Sequence, residues 1–230
     1  MDPRAQRTRD ALLESAKTLF AERGYVAVAT REITDRAGVN VASIAYHFGS
    51  KRDLYLAAVK DALHRPEVTG AWDLLRAEHP GRNEAIRTFE GFVRGMVEGM
   101  LIDEEFGACT CLMLREALQP SEAIDEVVAE IVAPREELLV GIVRAIAPAA
   151  STTEARHAAR SILGQVLHQH LFRHFVERLQ GRKHRPADVR AIADHVVRFS
   201  LRGIGCTDAV IDRALRAGRT PRKSSSPTKT

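Results

Sequence analysis

Apolar residues recur at spacings of three and four along almost the whole chain, and no stretch alternates strictly for long enough to suggest a strand; the pattern predicts an all-α fold. Between Arg7 and Arg23, Leu12, Ala16, Leu19 and Phe20 form one stripe while Arg9, Glu14, Lys17 and Glu22 lie elsewhere, and Gly24 supplies the residue that commonly ends a helix. Thr30 is placed to cap a short second helix ending near Ala37, Gly38 to take the left-handed conformation after it, and Asn40 to cap a third helix reaching about His47. Ser50, with Asp53 three residues on, resembles a capping box that opens a fourth helix through Leu54, Ala58 and Leu63, interrupted by Arg65-Pro66.

Beyond His79-Pro80-Gly81, which reads as a turn, helices are expected over Ala85 to Met100 and Phe106 to Leu118, the latter stopped by Gln119-Pro120. Ser121 is placed to cap a segment to Val132, and Pro134 to start the next, ending at Ala147-Pro148. Two long helices follow, about Thr153 to Leu179 and Pro186 to Ile204, then a shorter one near Thr207 to Ala217. The polar remainder, 218–230, is expected to be a disordered basic tail.

Composition narrows the class. Apolar residues make up 45% and charged residues 28% of 230, the mixture of a chain that buries a core. No apolar run approaches the roughly 18 residues of a membrane span, and the start is polar where a signal peptide would be apolar, so a cytoplasmic protein without a membrane partner is expected. Cys109, Cys111 and Cys206 are an odd number that gives no disulfide framework. The net charge of +4 permits nucleic-acid binding without proving it; the basic residues crowd the ends, with Arg4, Arg7 and Arg9 at one and Arg216, Arg219, Arg222, Lys223 and Lys229 at the other.

The chemistry concentrates in the first third. A helix-turn-helix needs a turn residue between its helices, apolar residues holding them, and polar positions on the outer face of the second. Gly38 is the turn here; Ile33, Ala37, Val39, Ile44 and Phe48 are spaced to face the first helix; Val41, Ala42, Ser43, Tyr46 and His47 are left for the major groove. Lys51, at the next helix start, is placed to hold a phosphate together with free backbone N–H groups. The run Thr30-Arg-Glu-Ile-Thr-Asp-Arg-Ala-Gly-Val-Asn-Val-Ala-Ser-Ile-Ala-Tyr-His-Phe-Gly-Ser-Lys51 resembles the DNA-binding signature of the TetR family. The resemblance covers roughly Arg7 to Leu63, including the Leu-Phe-Ala-Glu-Arg-Gly-Tyr ending of the first helix. Phe48-Gly-Ser-Lys-Arg-Asp-Leu-Tyr-Leu-Ala57 and Arg115-Glu-Ala-Leu-Gln-Pro120 resemble the CecR-like branch, which is linked to drug sensitivity and efflux.

The resemblance implies a homodimer whose C-terminal domain binds a small molecule and thereby releases double-stranded operator DNA. The expected layout is a three-helix helix-turn-helix domain over 6–66, with the motif at about 29–48, and an effector-binding and dimerisation domain over 67–217. DNA contacts are assigned to Thr30, Arg31, Asn40, Val41, Ala42, Ser43, Tyr46, His47 and Lys51. Many family members carry a tyrosine at the position of Ala45; here Tyr46 sits one residue later, about 100° around the helix. Trp72, Phe89, Phe92, Met96, Met100, Phe106, Met113 and Leu114 are candidate pocket lining, with Arg94 and Glu98 as polar partners. The dimer interface is placed on Gly164, Leu167, Leu171, Phe175, Val196 and Phe199.

Two other classes stay open at this point. One is a nonspecific nucleoid-type DNA binder without an effector. The other is a helical enzyme with a metal on His168, His170 and His174, of which His170 and His174 are four apart; Arg173 beside them and the lack of a general-base Glu between them argue against it. Cys109 and Cys111 would point about 200° apart on a helix, which argues against joint ligation. No Ser-His-Asp order, phosphate loop or paired-carboxylate spacing stands out, so neither catalysis nor a cofactor is expected.

Overall fold

The computed structural model describes residues 2–63, 66–78 and 81–217, and among these every regular element is helical. Arg65, the His79-Pro80 turn and the basic tail over 218–230 lie outside the described residues. The first helix, α1, runs Pro3–Ala27; Asp2 caps it by accepting from Arg4 N at 2.9 Å, and Gly24 breaks its regularity at φ 78°, ψ 170°. α2 (Thr30–Ala37) begins with Thr30 as its first helical residue, not as its cap. Ala29 precedes it, and the Ala29 N–H donates to the Glu32 carboxylate at 2.7 Å, because a side chain three residues into the helix reaches back to an orphan donor. Gly38 follows at φ 67°, ψ 33°; its N–H and that of Val39 return to the carbonyls of Asp35 and Thr34, closing the turn. Asn40 Oδ1 accepts from Ala42 N at 2.9 Å to start α3 (Ala42–Phe48), and at the start of α4 (Lys51–Leu63) Asp53 N donates to Ser50 Oγ at 3.1 Å, half of the expected box, while the Ser50 hydroxyl donates to Asp53 Oδ2 at 2.6 Å. Leu12, Ala16, Phe20, Ile33, Ile44, Leu54 and Ala58 meet in one buried core beneath these four helices.

After α5 (Pro66–Leu74), α6 (Arg82–Ile102) buries residues on more than one face and carries neighbours all round it. These are α5, α7 (Glu104–Leu118), α9 (Ala133–Ile146), α10 (Thr152–Leu171), α12 (Pro186–Gly203) and α13 (Asp208–Ala217). The short α8 (Ile124–Val127) opens with Ser121 Oγ accepting from Ala123 N at 3.1 Å.

Two expectations are corrected. Pro134 stands in the first turn of α9, as expected, but no break precedes it: α8, a π turn over Val128–Val132 and α9 follow without a gap. Proline has no N–H for the carbonyl four residues back and its ring crowds that carbonyl, and the run accommodates it by widening, with Ala133 N bonding to Val128 O. The single helix expected to Leu179 is broken at Phe172 (φ −101°, ψ 7°), which stacks on His168 at 4.7 Å. The piece beyond, α11 (Arg173–Leu179), is tied to the loop before α12 by Glu177. That carboxylate accepts from His184 N at 3.0 Å, His184 Nδ1 at 3.2 Å and Arg173 Nε at 3.3 Å, and these donors hold its pKa down to about 2.

Gly38 is the one turn residue on which the α2–α3 angle depends. A Cβ there meets no atom within 4 Å, so Gly38→Ala should cost only the left-handed conformation, about 1 kcal/mol. The check is the urea midpoint at unchanged m-value; a loss of several kcal/mol would mean that the turn is held by packing.

Candidate functional site

Two regions of chemistry stand out, and a polar joint links the helices that carry them. The first is the outer face of α2 and α3. Val41, Ala42, Ala45 and Tyr46 form its exposed stripe, spaced to lie on one side of the helix, and Tyr46 is 80% exposed. Ser43 and His47 flank the stripe half-buried, with the Tyr46 ring edge-on to His47 at 4.8 Å. Arg31 and Asn40 are exposed and Thr30 half-buried on the preceding helix and turn. Ala45, set aside in the sequence for want of a phenol, lies inside the exposed stripe.

Lys51 stands apart from the rest. Its ammonium donates to Tyr25 O at 2.6 Å and lies 4.3 Å from the centroid of the Tyr25 ring; burial lowers its pKa against the pull of Glu122 and Glu32. One of its three donors is therefore spent on the chain itself.

The second region is a cavity of about 470 Å³ beside α6, with α7, α9 and α10 forming its other walls. It is overwhelmingly apolar, and the exposed Val128 and Val132 of the π turn are among its lining. Of the expected lining, Trp72, Met96, Met100, Phe106, Met113 and Leu114 face it. Phe89 and Phe92 do not: both are fully buried between helices, Phe92 edge-on to Trp72 at 4.9 Å. Arg94 is also elsewhere, paired with Glu90 at 2.9 Å and with Asp194 of α12, and Glu98 is exposed. The sequence reading missed Arg135, Glu136, Leu139, Arg160 and Leu163, which reach the cavity from α9 and α10. No local spacing marks them, because they converge only when the helices pack.

The joint links α7 to the first four helices. Tyr55 of α4 donates to Glu116 Oε2 at 2.6 Å, and Ser121 N and Oγ donate to Glu116 Oε1 at 3.0 Å each. Glu116 is only 2% exposed. Burial and this carboxylate raise the Tyr55 pKa, so the phenol stays a donor. One residue earlier, Arg115 donates from Nε to Ala21 O at 2.7 Å and from Nη2 to Glu22 O at 2.5 Å, meeting the last carbonyls of α1 before the Gly24 break.

The histidines separate. His170 contacts Met100 O at 3.2 Å through Nδ1 and Cys111 Sγ at 3.4 Å through Nε2, while His174 is exposed beyond the Phe172 break, so the two do not share a continuous helical face. Cys109 turns the other way, with Sγ 3.2 Å from Ala62 O. Among the described residues no group of three or more side chains is placed to hold a metal, and no helix is long and apolar enough to cross a membrane.

On the expected dimer face the apolar bands divide. Val196 is 1% exposed and belongs to the chain's own core, because its side of α12 packs on α6; Leu167 is half-buried. Gly164 and Leu171 are exposed, as are Phe175 at 68% and Phe199 at 57%, and Phe172 and Leu179 join them.

Comparison with known proteins places the chain. Residues 12–58 match the model of the TetR family of bacterial regulatory proteins, and residues 85–204 match that of the C-terminal domain of the transcriptional dual regulator CecR. CecR of Shigella flexneri is 30% identical over 151 residues, which span 63% of this chain and 67% of CecR. Among solved structures, NalD of Pseudomonas aeruginosa, the secondary repressor of the MexAB-OprM multidrug efflux pump, superposes with a TM-score of 0.58 at 18% identity, over 86% of this chain and 97% of NalD. SmeT in complex with triclosan gives 0.62 at 17% identity, over 97% and 99%. At these identities the structures establish the fold.

The closest internal approach at the cavity generates a test. A Cβ on Gly99 would lie 2.4 Å from Phe106 Cδ2, so Gly99→Ala must displace a wall residue. Overpacking should outweigh alanine's better helix propensity, for a net loss of about 1 kcal/mol in chemical denaturation and a shifted Trp72 emission. Unchanged stability and emission would mean that Phe106 moves freely.

Proposed function

This chain belongs to the TetR family of bacterial transcriptional regulators, with a CecR-type C-terminal domain, and from that premise we propose a homodimeric repressor that reads a palindromic operator through α3 and releases it when a small molecule fills the α7-lined cavity. The observation that carries this reading is that one helix serves both ends. Phe106, Met113 and Leu114 of α7 wall the cavity, and Arg115 and Glu116, the next two residues, hold α1 and α4. A ligand that shifts α7 thereby shifts the helices that carry α3, and its effect on DNA is bounded by its differential affinity for the two arrangements.

The DNA face is 29–48 within a reading domain over 6–66, and the remainder to 217 is the regulatory and dimerisation domain. Val41, Ala42, Tyr46 and His47 meet base edges, with Ser43 beside them; Thr30, Arg31 and Asn40 fix the register on phosphates. Lys51 retains two donors beyond the one given to Tyr25, enough to hold a phosphate without leaving that carbonyl. The exposed Ala45 contributes van der Waals contact in the groove.

Pairing uses the exposed apolar surface of α10, α11 and α12. Gly164, Leu171, Phe175 and Phe199 support it, whereas Leu167 lines the cavity and Val196 backs the surface from the core. A two-fold dimer then sets its reading helices about 34–36 Å apart, one turn of the duplex.

Genomic fragments selected by the purified protein should share an inverted repeat with that spacing. In light scattering, Phe199→Arg should give folded monomers that lose tight binding to the repeat, since the substitution buries an unpaired charge only in the dimer. Phe199 is exposed in the single chain, so unfolding is not the expected outcome. A dimeric variant with full affinity would exclude this face, and affinity equal for all sequences would favour a nonspecific architectural DNA binder.

A further inference from the structure

We propose that the α7-lined cavity takes an amphipathic anion, an apolar chain ending in a carboxylate or similar acid, with Arg135 of α9 binding its head. The inference rests on reading that cavity as the effector site. Arg135 lies on a mostly apolar wall, its guanidinium 5.4 Å from the centroid of the Trp72 ring. Its hydrogen bond among the described residues runs from Nη2 to Leu63 O at 3.0 Å. No carboxylate pairs with it among those residues. The other arginine of the wall differs: Arg160 Nε lies 2.6 Å from Glu136 Oε1, and Arg156 approaches the same carboxylate at 3.5 Å. Two arginines and one glutamate thus face the cavity, and the glutamate is already engaged.

A guanidinium presents five N–H donors in a planar fork, and here most are unspent. None of its nitrogens is both sealed in protein and unpaired, so the spare donors open on accessible space. Burial, with Arg76 nearby, lowers the Arg135 pKa from its ordinary value, as expected of a cation short of a counter-charge. A carboxylate matches the fork with two parallel charge-assisted hydrogen bonds, whereas a cationic ligand would meet a like charge in a low-dielectric space. Met96, Met100, Phe106, Met113 and Leu139 then receive the apolar chain, and about 470 Å³ is the size of a typical small-ligand cavity.

The position of Leu63 gives the contact a second consequence. Leu63 is the last residue of α4, so an anion that draws on Nη2 loosens the bond holding the end of that helix. The group that recognises the ligand also reports its presence to the reading head.

Trp72 is the chain's one tryptophan and stands beside Arg135, so its fluorescence reads this site. The full-length protein is titrated with dodecanoate, dodecanol and dodecyltrimethylammonium below their micelle concentrations, and binding to a selected operator fragment is followed in parallel. Dodecanoate should quench Trp72 at concentrations about tenfold or more below those of dodecanol, with the ammonium compound weakest. Arg135→Gln should erase the advantage of dodecanoate, and Arg135→Lys should keep part of it. Thermal melts check that each variant folds, and if Arg135→Gln does not, the ranking of the three probes on the parent protein decides. Equal binding of the three, quenching by none, or an anion preference that survives Arg135→Gln overturns the proposal. If all three bind equally and release the operator, the effector reading stands without the anion site. If the anion preference and its loss both hold while operator binding is untouched, the anion site stands and the effector reading falls.

Discussion

A carboxylate taken out of water must be met by donors, and the placement of Glu116 makes that requirement structural. Its two oxygens accept from the Tyr55 hydroxyl of α4 and from the backbone and side chain of Ser121, which precedes α8. Leaving such donors without an acceptor costs about 1–3 kcal/mol for each buried group, a large share of a domain's net stability. Helix α4, 61 residues away, is therefore fixed to α7 and to the turn that follows it at a single buried point. The ion pairs of Arg52 with Glu126 and Lys60 with Glu130 are partly exposed and contribute little by comparison.

That point stands where the reading head meets the rest of the molecule. Arg115 binds the end of α1, Glu116 binds α4, and the preceding turns of α7 form the cavity wall. Arg135 adds a link from the far wall to the end of α4. The head shares an apolar core with the rest of the chain, and Leu63 of α4 itself lines the cavity; the polar contacts add links of fixed geometry, which can exist made or broken. The π turn before Pro134 lines the same cavity through Val128 and Val132.

How much of this is visible in the sequence follows the range of the interactions. The helix-turn-helix is built from contacts within a few residues: Gly38 in its turn, Asn40 at the start of α3, Ser50 with Asp53 at α4. Each leaves a local signature, and together they allow the head to be read directly. The cavity is half legible, because Met96, Met100, Phe106 and Met113 advertise soft apolar surface on α6 and α7, but periodicity does not separate them from Phe89 and Phe92, which the packing of α6 buries instead. Arg135 is illegible, since its meaning depends on pairing with no carboxylate among the described residues after folding. Glu116 and Arg115 sit in a stretch whose resemblance is noticeable, yet their partners are some 60 and 94 residues away. On the apolar bands of α10 and α12, only burial distinguishes Val196 from Phe199.

The Glu116 joint should make the first four helices and the helices packed around α6 one cooperative unit. Native-state hydrogen exchange on the parent protein and on Glu116→Ala tests it residue by residue. In the parent, the slowest amides of α4, such as those of Leu54 and Val59, should open at the same free energy as Val93 and Val97 of α6. In the variant, the α4 amides should open first, separated from α6 by about 1–3 kcal/mol. A parent whose head already opens independently, or a variant that lowers both sets equally, would contradict the account.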